Sequence, residues 1–183
     1  MNPERGRILV EAARAAIAEA FGGPAPRPPA GDWLREPAAV FVSLHRDGQL
    51  RGCMGALEPG LSLFEEVVDK AKAAAFRDHR MVPVQAQEVA DLDIEITVLD
   101  PLESMEVRNE ADLVSSLRSG VDGLVLRSQE GSAVFIPAVW RQLPDPRDFL
   151  RNLMRKAGLR GWPPDLRAFR FSAEECSSRE VGV

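Results

Sequence analysis

The sequence is poor in the residues that most often carry chemistry. Its 183 residues include two cysteines, Cys53 and Cys176, and two histidines, His45 and His79. Two cysteines make no disulfide framework, and none of the four stands at metal-ligand spacing, so no metal site and no cofactor are expected. Lysine occurs three times against twenty arginines, a bias we read as coding preference rather than a phosphate-binding signature. The formal net charge of −5 argues against non-specific binding to nucleic acid, which needs a basic surface to neutralise phosphates. No apolar run is long enough to cross a bilayer. The first residues lead into an alanine-rich stretch broken by Arg and Glu, unlike a signal or transit peptide. A cytoplasmic protein with no membrane attachment is therefore expected. The 45% of hydrophobic residues is enough for one domain, or for two small subdomains that share a core.

What is present is clear punctuation. Residues 4–21 place Ile8, Leu9, Ala12, Ala16, Ile17 and Ala20 at helical spacing. A Pro/Gly-rich irregular connection follows over 22–37. Two strands, 39–45 and 49–56, flank Arg46-Asp47-Gly48, where Asp-Gly is a strong hairpin signal. A three-residue loop would pair Leu44 with Leu50 and Ser43 with Arg51. That register sets Val40, Val42, Leu44, Leu50 and Met54 on one face, with Phe41, Ser43, His45, Gln49, Arg51 and Cys53 on the other. Ser62-Leu63-Phe64-Glu65 has the form of a capping box opening a helix to about Phe76. Asp78–Val84 reads as a loop, and Leu92–Leu99 as an alternating strand. A short helix from Asn109, a second hairpin over 123–127 and 132–136, a helix capped by Asp145 and stopped by Gly158, and a strand near 166–171 complete the pattern. The tail, 173–183, is expected to fray. The expected fold is α+β: a mixed, mainly antiparallel sheet with flanking helices in a single domain, 1–183, of two unequal subdomains. The order hairpin, helix, strand occurs twice, which suggests a duplicated unit.

The segment that stands out is Arg51-Gly52-Cys53-Met54-Gly55. Two glycines weaken a strand unless the space they leave is used by a close neighbour or a bulge. Between them is a thiol that a neighbouring guanidinium can favour as thiolate, its reactive form. The segment can therefore serve as a nucleophile, a soft ligand or an anion-binding patch. A free cysteine is equally a common small core residue.

Leu50-Arg51-Gly52-Cys53-Met54-Gly55 resembles the Leu-Arg-Gly-Cys-Ile-Gly signature of the AMMECR-one domain family (AmmeMemoRadiSam system protein A type). Phe41–Leu44, Ala75–Arg80, Ile94–Leu99, Phe149-Leu150 and Lys156–Leu159 fit the family's flanking segments. The chain departs from the pattern at Met54, which replaces Ile. It also has Ile136-Pro137-Ala138-Val139 in place of Leu-Pro-Gln-Val, and His79 where proline is common. The resemblance implies a two-subdomain α+β fold and an intracellular protein. It also implies the company of Memo-like proteins and radical S-adenosylmethionine proteins as partners, and it names no reaction.

Two readings of function follow. In one, the protein is a binding or accessory module whose Arg51–Gly55 surface receives a partner protein or a small anionic ligand. Arg51, Gly52, Gly55, Ser43, Asp78 and Arg80 would then be the binding residues. In the other, it is an enzyme acting on a small anionic substrate, with Cys53 as nucleophile or redox group, Arg51 as anion anchor and Glu95 as proton carrier. Arg51 could instead pair with Glu95 or Asp78 to order the sheet, and Asp78 with Arg80 at the edge of a cleft. A Cys53–His45 dyad is rejected, because His45 lies four residues along the strand at ~3.4 Å per residue. His79 could approach Cys53 from its loop.

Overall fold

A computed structural model describes residues 1–183. It is an α+β fold that divides into two compact units, residues 1–99 with 174–183 and residues 100–173. Each holds one four-stranded antiparallel sheet or most of one.

In the first unit the sheet is built on the hairpin of β1 (Ala39–Arg46) and β2 (Gln49–Gly55). β3 (Asp93–Leu99) pairs with β1, and the last strand, β8 (Ala173–Ser177), lies beside β3. The strand order β2-β1-β3-β8 leaves β2 at an edge. Helices α1 (Pro3–Glu19) and α2 (Leu63–Phe76) cover one face. Asn2 Oδ1 caps α1 by accepting from the Glu4 N–H at 2.9 Å, and Glu65 accepts from the Ser62 N–H at 3.1 Å at the start of α2. Val40, Val42, Leu44, Ile94 and Ile96 meet Leu9, Ala13, Ile17, Val67 and Ala71 there, all with no exposure. Each fully buried branched side chain contributes roughly 1.5–3 kcal/mol, so this face dominates the unit's stability.

The hairpin corrects the expected register. Arg46 pairs with Gln49 across a two-residue turn, with Asp47 and Gly48 both at positive φ (53° and 77°), as a tight turn between right-twisted strands requires. Unaided, that turn would mix polar and apolar residues on each face. A bulge resolves the conflict: the register shifts between Leu44 and His45, so Arg51 has no partner and Leu44 pairs with Gly52, Ser43 with Cys53 and Val42 with Met54. The buried face is thereby kept for Val42, Leu44 and Met54. Leu50, expected in the core, pairs with His45 and is exposed.

The tail is the second correction. β8 runs into a short helix, α5 (Ser178–Val181), instead of fraying. Ser178 Oγ accepts from the Ile94 N–H at 2.8 Å, and Cys176 is buried against Gly6 of α1. Burial pushes the Cys176 thiol up to about 12, which makes it an inert core residue.

The second unit repeats the pattern. β5 (Gly123–Arg127) and β6 (Ser132–Phe135) form a hairpin, α4 (Pro146–Lys156) follows, and β7 (Arg167–Phe171) returns to pair with β5. β4 (Glu103–Met105) completes the order β4-β7-β5-β6, and α3 (Glu110–Ser116) precedes the hairpin. Phe149 lies at the centre of the core with Trp140 stacked on it at 3.8 Å, and Leu124, Leu126 and Leu153 are buried with them. Both sheets thus place hairpin strand, hairpin strand and post-helix strand in the same order. The fourth strand in each case comes from the chain that follows the other unit's third strand.

A glycine under a helix carbonyl recurs in both units. A Cβ on Gly52 would lie 2.1 Å from the Ala74 carbonyl oxygen at the end of α2, and one on Gly131 would lie 2.1 Å from that of Ala157, past α4. The offending atom is backbone, so the helix itself would have to move. Gly52→Ala and Gly131→Ala are each expected to cost about 1–3 kcal/mol, read from urea unfolding midpoints. Gly161→Ala, which meets open space, should stay within about 0.5 kcal/mol.

Candidate functional site

The bulge sends Arg51 out of the ladder and across to the 3-10 turn at Ala86–Asp91 that precedes β3. Its guanidinium meets Glu88 in a fork: Nε donates to Oε1 at 2.9 Å and Nη2 to Oε2 at 2.9 Å. Nη1 donates to the Val82 carbonyl, and Nη2 also to that of Pro83 at 3.1 Å. Glu88 is nearly buried and also accepts from the Gln85 N–H at 2.7 Å and from Arg46 at 3.2 Å. The Arg51 fork, then the Gln85 amide, hold its carboxyl down to about 2. Arg51 therefore pairs with Glu88, and neither Glu95 nor Asp78 fills that place. Glu88 was missed in the sequence, although Gln85-x-x-Glu88 spells a capping pattern that could have drawn attention to it.

The other two motif features are also engaged. Gly52 lies under α2, and Gly55 lies under the Phe41 ring, 2.3 Å from where a Cβ would be. The Cys53 backbone faces the open edge of β2. Its N–H donates to Asp78 Oδ2 at 2.9 Å, and its carbonyl accepts from Arg80 Nη2 at 3.2 Å. Arg80 in turn grips Asp78 from Nε at 2.8 Å and Nη2 at 2.7 Å. This pair stands where the backbone of another strand would stand, and it protects the edge. Asp78 is buried, and the Arg80 guanidinium holds its carboxyl far below the usual carboxylate range.

The predicted residues therefore fall into three groups. Gly55, Asp78 and Arg80 share a groove of about 490 Å³ beside the β2 edge with His79, and Lys70 and Arg77 of the α2 segment join them. Lys70 bonds Asp69 at 2.8 Å and lies 3.1 Å from the buried Glu66, and Arg77 bonds Asp69 at 2.5 Å. Cys53, Ser43 and Glu95 form a row across β2, β1 and β3 on the sheet face away from α2. Ser43 Oγ donates to Cys53 Sγ at 3.2 Å. Two strand spacings, about 10 Å of backbone, separate Cys53 from Glu95. Arg51 and Gly52 stand apart from both groups. Lys70, Arg77 and Asp69 were not singled out in the sequence, because salt-bridged residues on a helix face carry no signal of their own.

The fold and this braced edge define a two-unit α+β protein organised around an Arg-Gly-Cys strand. The model of the AMMECR1 family matches residues 10–176, and the chain belongs to that family. A protein of Methanothermobacter thermautotrophicus is 37% identical, with 95% of this chain and 94% of its own length aligned. One of Thermofilum pendens is 31% identical over 95% and 90%. The crystal structure of an uncharacterized Pyrococcus horikoshii protein superposes with a TM-score of 0.86 at 32% identity, covering 94% of this chain and 90% of that one. No helix of this chain is long and apolar enough to cross a membrane.

The Arg51–Glu88 fork gives a pH signature. The folded Glu88 carboxyl titrates at about 2, below its ordinary 4.5. Its stabilisation is therefore complete above the ordinary carboxylate range and is lost as pH falls from there toward 2. Melting temperature measured against pH should fall through that window. Glu88→Gln should flatten the fall and cost about 2–3 kcal/mol at neutral pH, since Arg51 then keeps its charge without a carboxylate.

Proposed function

We propose that this protein is a binding module whose docking place is the groove beside the β2 edge. It acts inside the cell with Memo-like and radical S-adenosylmethionine proteins, which carry the chemistry. The observation that carries this reading is that the Arg51–Gly55 segment is engaged by the chain's own groups. Arg51 is held by Glu88 and two loop carbonyls, and the two glycines by a helix carbonyl and a phenyl ring. The Cys53 backbone is held by Asp78 and Arg80. Such bracing makes a rigid surface, and rigidity lowers the ordering cost of recognition. Beside it, Lys70, Arg77 and Arg80 outnumber Asp69 and Asp78 in the groove lining, a small positive excess suited to an acidic partner segment or a small anion. The partner classes rest on the family resemblance alone.

Arg77 is the side chain to change, because it lines the groove and is more than half exposed. Arg77→Glu should leave the melting temperature within a few degrees and reduce copurification of a coexpressed Memo-like protein by about tenfold. Unchanged copurification would remove the groove from the interface.

The second reading, an enzyme with Cys53 as nucleophile or redox group and Glu95 as proton carrier on a small anionic substrate, is favoured by one observation. Cys53, Ser43 and Glu95 lie in register on one sheet face, with a hydroxyl donating to the thiol. In this reading Arg51 as anion anchor would have to leave Glu88. A folded Cys53→Ser protein that complements a deletion strain in full excludes it. Loss of complementation with partner binding intact supports it.

A further inference from the structure

The charge of the chain is unevenly placed. Although the whole chain is acidic, residues 141–170 hold eight Arg or Lys and three Asp. Their centre is α4, which buries Phe149, Leu150 and Leu153 and turns Arg147, Arg151 and Arg155, four residues apart, to the exposed side. Past the helix, Gly158 takes a left-handed conformation (φ 76°), which ends α4 and turns the chain. Leu159 is buried in the unit's core and Arg160 is exposed beside it. The result is an open cradle of about 480 Å³ lined by Met154, Leu159, Arg151, Arg155, Arg160 and Glu110.

Its guanidiniums are only partly engaged. Arg151 gives Nη1 to Asp148 at 2.9 Å, and Arg155 gives Nη2 to Asn152. Arg160 has no protein partner among the hydrogen bonds and ion pairs. The lining residues carry three positive charges and one negative. Asp148 offsets the charge of Arg151, which leaves a net positive charge carried by Arg155 and Arg160, neither of which has a carboxylate partner. Planar guanidinium forks with free N–H edges suit tetrahedral phosphate oxygens, which accept from several directions at once. The space exceeds one phosphate group and its lining includes the apolar Met154 and Leu159, as a small phosphorylated metabolite would need. The lining has no aromatic side chain and so lacks the stacking platforms that a nucleic acid strand uses.

We infer that the Arg151–Arg155–Arg160 cradle binds a small phosphate-bearing ligand. The site lies in the second unit and does not depend on the proposed role of the β2 edge.

The test is an NMR titration of the full chain with inorganic phosphate at mildly alkaline pH, where it is a dianion, with malonate as a dianion that lacks phosphorus. Saturable shifts are expected at the Leu159, Arg160 and Gly161 amides. Arg160→Gln should weaken binding by about tenfold or more, the equivalent of one charge-assisted hydrogen bond. Arg147→Gln, a turn outside the cradle on the same exposed side, should change it less than about threefold. Non-saturating shifts, equal loss in the Arg147→Gln and Arg160→Gln proteins, or malonate bound as tightly as phosphate would each overturn the inference. Both side chains are exposed, so amide dispersion serves to confirm that each variant keeps its fold.

Discussion

The fork between Arg51 and Glu88 is the contact from which the rest of the first unit follows. A tight Asp47-Gly48 turn would leave the hairpin out of phase with its own hydrophobic pattern. The bulge at Arg51 puts it back in phase, and an unpaired bulge residue needs somewhere to go. Glu88 supplies that place. By accepting from Nε and Nη2 together, it ties β2 to the crossover that leads into β3. Asp78 and Arg80 tie the other end of the same crossover to the Cys53 backbone. An edge strand with two glycines would otherwise be the weakest part of the sheet.

The two units apply one scheme with different details. In each, a hairpin, a helix and a returning strand make three adjacent strands in the same order, and a glycine lets the helix end come down on the hairpin. The first unit braces its crossover with arginine forks. In the second, Asp165 accepts from the Gln129 N–H at 2.7 Å near the hairpin turn, and α4 carries its arginines outward. Repetition of topology without repetition of residues leaves each unit free to present its own surface, the β2-edge groove in one and the arginine cradle in the other.

Most of the fold was legible in the sequence because it is written locally. Caps at Ser62, Asn109 and Asp145, the stop at Gly158 and the alternation of Leu92–Leu99 each depend on neighbours a few residues away. The repeated hairpin-helix-strand order was legible for the same reason. The register of the first hairpin was not, because a bulge is a compromise between turn geometry and core pattern. Sequence weighs each separately, and here both were satisfied at the expense of one unpaired residue. The tail was misjudged because Cys176 and Ser178 are ordered by α1 and β3, more than eighty residues away in the chain. In the candidate site the motif itself was found, as were Asp78 with Arg80. Glu88 was not, because a carboxylate thirty-seven residues from its arginine looks like any surface glutamate until the chain folds.

Arg51 is a structural residue held by Glu88 and two loop carbonyls, which a ligand would have to displace. A double-mutant cycle of Arg51→Gln, Glu88→Gln and both, followed by urea unfolding at neutral pH, measures this directly. A coupling free energy of about 1.5–3 kcal/mol is expected, with the double variant much less destabilised than the sum of the singles. Additive effects with coupling near zero would mean that the fork does not hold the edge, and the anion-anchor role of Arg51 would regain its place.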